Sequence, residues 1–378
     1  KIAKALTERM ERDPGNEHLR RQMLRVYRAD IKTVDAFCTA LLRENCHLLG
    51  EDACGHTLRP DFRVLDENDA QTLRERVLSR TLDDFYDDLT PGGALLADTL
   101  GAGRDDSALE ALVLELHAKL QAQPYEHKWL DAQRALWSKV PEKIEDTPYG
   151  KILLREVQRK ARHWQRLMRM AVQEMTQNDA LNQKYAPAFL DVSYQLEVLT
   201  VKAGESWDAA RGVSIAFPRL APVKDSDGGE LKARMKALWD GCKAAVKSFG
   251  EQFAASSGEA AEDLRTMAPA MLALIDLTAD FSRRYNEEKR RRNAADFSDQ
   301  EHEAIRLLIG EDGTPTDLAN TVSARYREIM VDEYQDTNEV QNRIFEAISC
   351  KGENLFTVGD VKQSIYRFRL ADPRIFLQ

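Results

Sequence analysis

VDEYQDTN, residues 331–338, follows the short apolar run Ile329-Met330-Val331, and a second apolar run, Leu355-Phe356-Thr357-Val358, comes after residues 338–349, which read as a helix. Strand, helix and strand at this spacing predict a βαβ unit and hence a parallel sheet. The first strand then delivers Asp332 and Glu333 to its carboxyl end, at the crevice where parallel sheets bind ligands. A hard divalent cation that bridges phosphates takes an oxygen anion there, and Asp332 supplies one, through water. One residue on, the Glu333 carboxylate is placed to position and polarise an attacking water. A bare Asp-Glu pair also reads, more simply, as the cap of the following helix.

The second strand runs into VGDVKQSIYRFRLADP, residues 358–373. Gly359 permits a tight turn after the strand. Gln363 then lies beside the end of the carboxylate strand, where its amide can sense a terminal phosphate. Tyr366 and Phe368 alternate with Arg367 and Arg369, an interleaving suited to stacking bases and holding phosphates. A core aromatic pair with surface arginines is the other reading of the same spacing.

Around this unit lie 378 residues, 43% apolar and 31% charged, enough for two or three domains with hydrophobic cores. No stretch approaches the roughly 18 charge-free apolar residues of a membrane helix, since the longest candidate, 267–277, is interrupted by Asp276. The 54 basic and 63 acidic residues leave a charge of -9, which argues against a generic nucleic-acid-coating protein. A local basic patch is still compatible, because screening confines its field to about 8–10 Å. Cys38, Cys46, Cys54, Cys242 and Cys350 form no CxxC pair, so a disulfide scaffold or zinc ribbon is not expected; buried thiols in a reducing compartment are.

Helical periodicity dominates the remainder. Residues 1–29 and 33–49 read as helices, the second with Phe37, Leu41, Leu42 and Leu48 on one side. From about 66 to 295 long helices are expected, broken at 90–106, 141–148, 218–229 and 256–259. Ser298 followed by Glu301 reads as a capping box for a helix through Ile309. Lys151, Arg155, Arg159, Arg162, Arg166 and Arg169 recur at steps of three or four and line one helix face, with Leu153, Val157, Trp164, Met168, Ala171 and Met175 opposite. Such a stripe either lies along a duplex backbone or is a solvated face paired to acids on a neighbouring helix. Residues 289–292 form a second basic run, read as helix surface. No phosphate-cradling GxxxxGK[ST] occurs: Gly150-Lys151 has Glu145 where the earlier glycine should be. Glu126-His127-Lys128 and Glu230-Leu231-Lys232 fit a nuclease E-x-K pattern but lack a preceding strand and read as surface charges. His302-Glu303 lacks a second His.

VDEYQDTN followed by VGDVKQSIYRFR resembles motifs II and III of superfamily 1 DNA helicases of the UvrD and RecB kind. The run from Lys362 to Arg369, ending in LADP, most resembles the AddA component of the AddAB helicase–nuclease. ADFSDQE (295–301) resembles the LDFxDL segment upstream of motif II. TVDAFCTALLREN (33–45) resembles the TIHSFC motif Ib, and NEHLRRQMLRVYRADIKT (16–33) fits before it. The fold implied is α/β with a large all-α insertion: residues 1–48 and 296–378 as part of a RecA-like P-loop NTPase motor domain with a parallel sheet, and 49–295 as a helical, 1B-type subdomain.

By that resemblance Asp332 would hold Mg²⁺ through water, Glu333 would be the catalytic base in ATP hydrolysis, and Gln363 would couple the γ-phosphate state to the grip on DNA. Thr33, Phe37, Tyr366, Phe368 and Arg369 would touch single-stranded DNA, and Arg155, Arg159, Arg162 and Arg166 would lie near incoming duplex. Asp35 stands where the family has His, so no DNA contact is carried onto it. Phe368 stands where many relatives have Trp and would stack with less area. The resemblance implies an ATP-dependent helicase with nuclease, working on broken DNA ends with an AddB-type partner in the bacterial cytoplasm. A stand-alone UvrD-like helicase fits motifs II and III nearly as well, and a non-catalytic DNA-binding or assembly module using the basic stripe is the reading from another class. The chain reads as a piece, with the P-loop upstream and the second motor domain and nuclease beyond Gln378. Alone it is expected to show no ATPase activity and no tight nucleotide or metal binding, and to self-associate through an open sheet edge.

Overall fold

The computed structural model describes residues 2–27, 29–51, 54–100, 107–350, 352–364 and 375. Two compact units emerge, one of residues 1–88, 103–130 and 276–378, the other of 89–102 and 131–275. These units divide the chain at points other than 48/49 and 295/296. Both are mostly helical. Among the described residues no helix is long and apolar enough to cross a membrane.

The first unit contains two small parallel ladders. β1 (Arg63–Val64) pairs with β2 (Ala294–Ala295), and β3 (Ile329–Val331) pairs with β4 (Leu355–Thr357), Ile329 standing opposite Leu355. Between β3 and β4 the helix Glu339–Ile348 makes the crossover that the spacing predicts. Asn338 starts it, its side chain accepting the Gln341 N–H at 2.7 Å. Val340, Ile344, Ala347 and Ile348 form its buried stripe. They share a core with Cys38, Leu41 and Leu42 of the helix Val34–Asn45 and with Ala304, Ile305 and Leu308 of the helix Phe297–Leu308. Each such aliphatic side chain, fully buried, contributes about 1.5–3 kcal/mol. On the other side of the β3–β4 ladder the central residues Met330 and Phe356 are exposed, at 71% and 61%.

Local chemistry explains where the helices depart from expectation. Residues 1–29 form two helices, Ile2–Arg12 and Glu17–Val26, because Pro14 disfavours helical backbone at Asp13 and Asn16 caps a new start by accepting the Leu19 N–H at 3.2 Å. The expected helix 33–49 ends at Asn45 and tightens into a 3₁₀ turn, Cys46–Leu48, which turns Leu48 outward and Leu49 inward. Within the expected break 90–106, Pro91–Leu100 is helical, with the Thr90 hydroxyl accepting the Gly93 N–H. The capping box belongs to Asp296 and Asp299, not Ser298 and Glu301. Asp296 is the last extended residue, and each carboxylate accepts the other's backbone N–H at 2.9 Å. Cys38, Cys46 and Cys242 are buried as expected, but Cys54 and Cys350 are exposed.

The second unit is built on an antiparallel hairpin of the helices Pro148–Met175 and Asp179–Glu205. Val157, Ala161, Met168, Ala171 and Met175 pack with Leu181, Phe189, Val192, Leu196 and Leu199. Leu154, not Leu153, begins this apolar face; Leu153 is 38% exposed. The helix Asp225–Gln252 adds Met235, Trp239 and Cys242, with Trp239 against Phe189 and Phe217 at ring distances of 4.9 and 5.1 Å. Gly150 is here a packing residue: a Cβ on it would lie 2.0 Å from the Ile144 carbonyl oxygen.

Candidate functional site

Asp332 and Glu333 leave the carboxyl end of β3 as solvent-exposed residues. The helix that follows is capped by Asn338, so the capping reading of the Asp-Glu pair does not hold. The Asp332 Oδ1 accepts the Glu333 N–H at 3.0 Å. No ion pair to a basic side chain occupies either carboxylate among the described residues. Glu333 has φ 53° and ψ 40°, the left-handed conformation that L-residues other than Gly rarely adopt. The chain then enters a 3₁₀ turn, Tyr334–Asp336. Asp336 Oδ1 is buried without a hydrogen-bond partner. Burial, and then the neighbouring Glu333 charge, hold the Asp336 carboxyl above the ordinary carboxylate range.

The turn after β4 locks onto this strand end. Val358 N–H donates to Val331 O at 2.9 Å, and Tyr334 N–H donates to Val358 O at 2.8 Å. Gln335, 1% exposed, sits between the two segments. Its Nε2 donates to Glu333 Oε2 at 2.7 Å, and its Oε1 accepts the Asp360 N–H at 2.9 Å. Asp360 in turn accepts the Lys362 N–H at 3.0 Å and Gln363 Nε2 at 3.1 Å. Glu333 and Gln363, the two residues expected side by side, are thus joined through Gln335 and Asp360. Gly359 has a role other than the expected freedom of turn: a Cβ there would stand 2.5 Å from Gln335 Oε1.

Thr33 caps the helix Val34–Asn45, its hydroxyl accepting the Ala36 N–H at 3.2 Å. Phe37 is half-buried against the core of the first unit. Tyr366, Phe368 and Arg369 lie outside the described residues. On the second unit, Arg155, Arg159, Arg162 and Arg166 are exposed and, with Lys160, line a cavity of about 600 Å³. Arg159 and Lys160 pair with Glu156 of their own helix, and Arg169 with Glu197 of the next helix. Arg155, Arg162 and Arg166 have no carboxylate partner among the described residues.

Two features escaped the sequence. Gln335 is one; its burial depends on the β4 turn folding back, which no local pattern announces. The other is Lys289, expected on a helix surface but 1% exposed. Its ammonium donates to Asp296 at 2.9 Å and Asp299 at 2.6 Å and lies 4.0 Å from the centre of the Tyr285 ring. The ADFSDQE segment is therefore an internal ion cluster that also starts a helix. Burial opposes the charge on Lys289, but the carboxylates of Asp299 and Asp296 outweigh it and hold the ammonium above its ordinary value. Arg290 is also largely enclosed and pairs with Glu303. Glu126, expected on the surface, is partly buried 3.7 Å from His302, and burial pushes its carboxyl up. Lys232 of the second E-x-K sequence donates to the Val223 carbonyl oxygen. No cluster of three or more metal-ligating side chains occurs among the described residues.

The profile of the UvrD/REP helicase N-terminal domain matches residues 1–378. The AddA-type ATP-dependent helicase/nuclease chain of Ruminiclostridium cellulolyticum is 31% identical over 393 residues, an alignment that takes in 100% of this chain and 31% of the relative. The corresponding ATP-dependent helicase/nuclease chains of Lachnoclostridium phytofermentans and Staphylococcus carnosus are 33% and 30% identical, again over 100% of this chain and over 28% and 31% of their own lengths. The chain thus spans about three tenths of the length of the relatives it matches. A strand that ends in paired carboxylates, tied to a glutamine-bearing turn and matched along its whole length, makes the chain a member of the UvrD/REP helicase family.

Proposed function

We propose that these residues form part of the ATP-hydrolysing centre of a DNA motor, in a protein that unwinds and processes DNA ends as the AddA-type component of a helicase–nuclease. The observation that carries this reading is the exposed Asp332-Glu333 pair, free of basic partners at the end of a parallel strand, with the Glu333 carboxylate oriented by Gln335. Asp332 keeps one carboxylate oxygen without a backbone donor, which suits a cation that retains most of its waters and takes one or two protein oxygens. Mg²⁺ held there through water would neutralise charge on the transferring phosphoryl group.

The work of this chain's own residues is then positional and basic. Glu333 accepts a proton from the attacking water as its oxygen bonds to the γ-phosphorus. The bond from that phosphorus to the bridging oxygen breaks, and ADP departs with the electron pair. Gln363 senses the γ-phosphate and passes its state on. Thr33, Phe37, Tyr366, Phe368 and Arg369 face single-stranded DNA in this reading. Residues 1–48 and 296–378 belong to a RecA-like motor domain, and 49–295 form the helical insertion. An AddB-type partner, broken-end repair and the bacterial cytoplasm complete the proposal. Its test is ATP hydrolysis by the full-length protein with and without single-stranded DNA. The expected result is a rise of at least about tenfold with DNA, a typical scale for a step gated by conformational closure; no hydrolysis under either condition would overturn it.

A second role rests on a separate observation, the exposed and unpaired Arg155, Arg162 and Arg166. In this reading the stripe tracks the backbone of duplex DNA. Changing Arg155, Arg159 and Arg162 to Glu is expected to weaken duplex binding at least tenfold and to flatten the slope of log affinity against log salt by about 0.9 for each phosphate no longer neutralised. An unchanged slope in a titration from 50 to 200 mM salt, about the range over which such binding is read, would assign the stripe to a solvated face.

A further inference from the structure

We infer that Gln335 is a positioning residue that fixes the Glu333 carboxylate and ties it mechanically to Gln363, an inference that rests on the proposed role of Glu333 in hydrolysis. The geometry is a continuous line of hydrogen bonds. Glu333 Oε2 accepts from Gln335 Nε2 at 2.7 Å, Gln335 Oε1 accepts from the Asp360 N–H at 2.9 Å, and Asp360 Oδ2 accepts from Gln363 Nε2 at 3.1 Å. Only a side chain with one donor and one acceptor at its tip can occupy the middle of that line, which selects an amide. The Ser364 hydroxyl donates to the Gln335 carbonyl oxygen at 3.4 Å and adds a second tie between the same two segments.

Two further observations support a tie that is rigid rather than incidental. Gln335 is 1% exposed, so water does not compete for its amide. A Cβ at position 359 would lie 2.5 Å from Gln335 Oε1, 3.1 Å from its backbone nitrogen and 3.2 Å from that of Tyr334, so the turn closes over the amide only with glycine there. The Glu333 side chain would otherwise rotate freely on an exposed backbone. A displacement of about 1 Å at a reacting group is enough to lower a rate about a hundredfold. A movement of Gln363 in response to phosphate would reach Glu333 through two side chains, and a movement of Glu333 would reach the turn after β4 by the same route.

The test compares Gln335→Glu, Gly359→Ala and Glu333→Gln in the full-length protein, reading kcat and KM for ATP, equilibrium binding of a fluorescent ATP analogue, and thermal melting. Gln335→Glu keeps the shape but replaces the donor facing Glu333 with an oxygen, and Gly359→Ala presses on the amide from the other side. Both are expected to lower kcat at least tenfold, with nucleotide affinity changed less than threefold, and to reduce the ratio of DNA-stimulated to unstimulated hydrolysis. If Glu333→Gln abolishes hydrolysis while both other variants retain kcat, the positioning role is overturned and the hydrolytic reading stands. If Glu333→Gln itself hydrolyses ATP normally, the hydrolytic reading falls, and this inference with it. If Gln335→Glu and Gly359→Ala lose melting and nucleotide binding together with kcat, Gln335 is a structural residue only and the inference is overturned.

Discussion

Replacing Lys289 with Met is expected to destabilise the first unit by about 3–5 kcal/mol, the range for breaking a buried charge cluster from one side. Methionine fills most of the volume but leaves Asp296 and Asp299 facing each other without a cation. Both carboxylates also form the capping box of the helix Phe297–Leu308, so the same change loosens the start of that helix. The pH dependence follows from the two directions. Burial and then the Asp296 charge hold the Asp299 carboxyl above its ordinary value. Its contribution is fully present below the unfolded carboxylate pKa of about 3.9 and is lost as pH rises through the raised folded value. Asp296 behaves oppositely: burial raises its carboxyl, but Lys289 outweighs that and holds it low. Its contribution is present above about 3.9 and lost as pH falls through the depressed value. Without Lys289 both carboxyls shift upward, so the deficit is largest at pH 8 and shrinks towards pH 5. Denaturant unfolding at the two pH values measures this. A loss below about 1 kcal/mol, or equal losses at both, would mean that the cluster contributes no more than a surface pair.

Glu333→Gln is expected to lower ATP hydrolysis in the full-length protein by about 10²–10⁴-fold, the usual contribution of a positioned general base. Stability should change by no more than about 0.5 kcal/mol, as for other exposed substitutions. The new amide oxygen still accepts from Gln335, and the left-handed backbone at 333 is no harder for glutamine than for glutamate. Nucleotide binding should persist, because an amide removes proton-accepting power and not contact area. Single-turnover hydrolysis measured beside equilibrium nucleotide binding separates these effects. Hydrolysis within threefold of the parent would remove Glu333 from the role of base.

The parallel unit of β3, the crossover helix and β4 was legible because each part carries its own local signal: two short apolar runs, an Asn cap and a stripe at 340, 344 and 348. The same holds for the basic face at 155, 159, 162 and 166, which is a matter of helical period alone. Lys289 was misread because a run of four basic residues looks the same whether or not a pair of carboxylates waits seven and ten residues along the chain. Glu126 was misread for a similar reason, its partner His302 being remote in sequence. Gly359 was recognised as necessary but for the wrong cause, since the object it accommodates, the Gln335 amide, comes from a different strand end. Helix starts shifted by one or two residues where two capping residues competed, as at Asp296 and Ser298.

The left-handed backbone at Glu333 has a consequence for how sequence can drift at this position. A non-glycine residue held there carries about 1–2 kcal/mol of steric penalty, which glycine would relieve. Glycine has no carboxylate, however, and asparagine or aspartate, the next most tolerant of this conformation, reach one methylene less far. Persistence of the fold and turnover of nucleotide therefore pull position 333 in opposite directions. A lineage screened only for heat resistance would be free to give up the glutamate, whereas one screened for motor activity must retain it and keep the rest of the strand end stable enough to hold it.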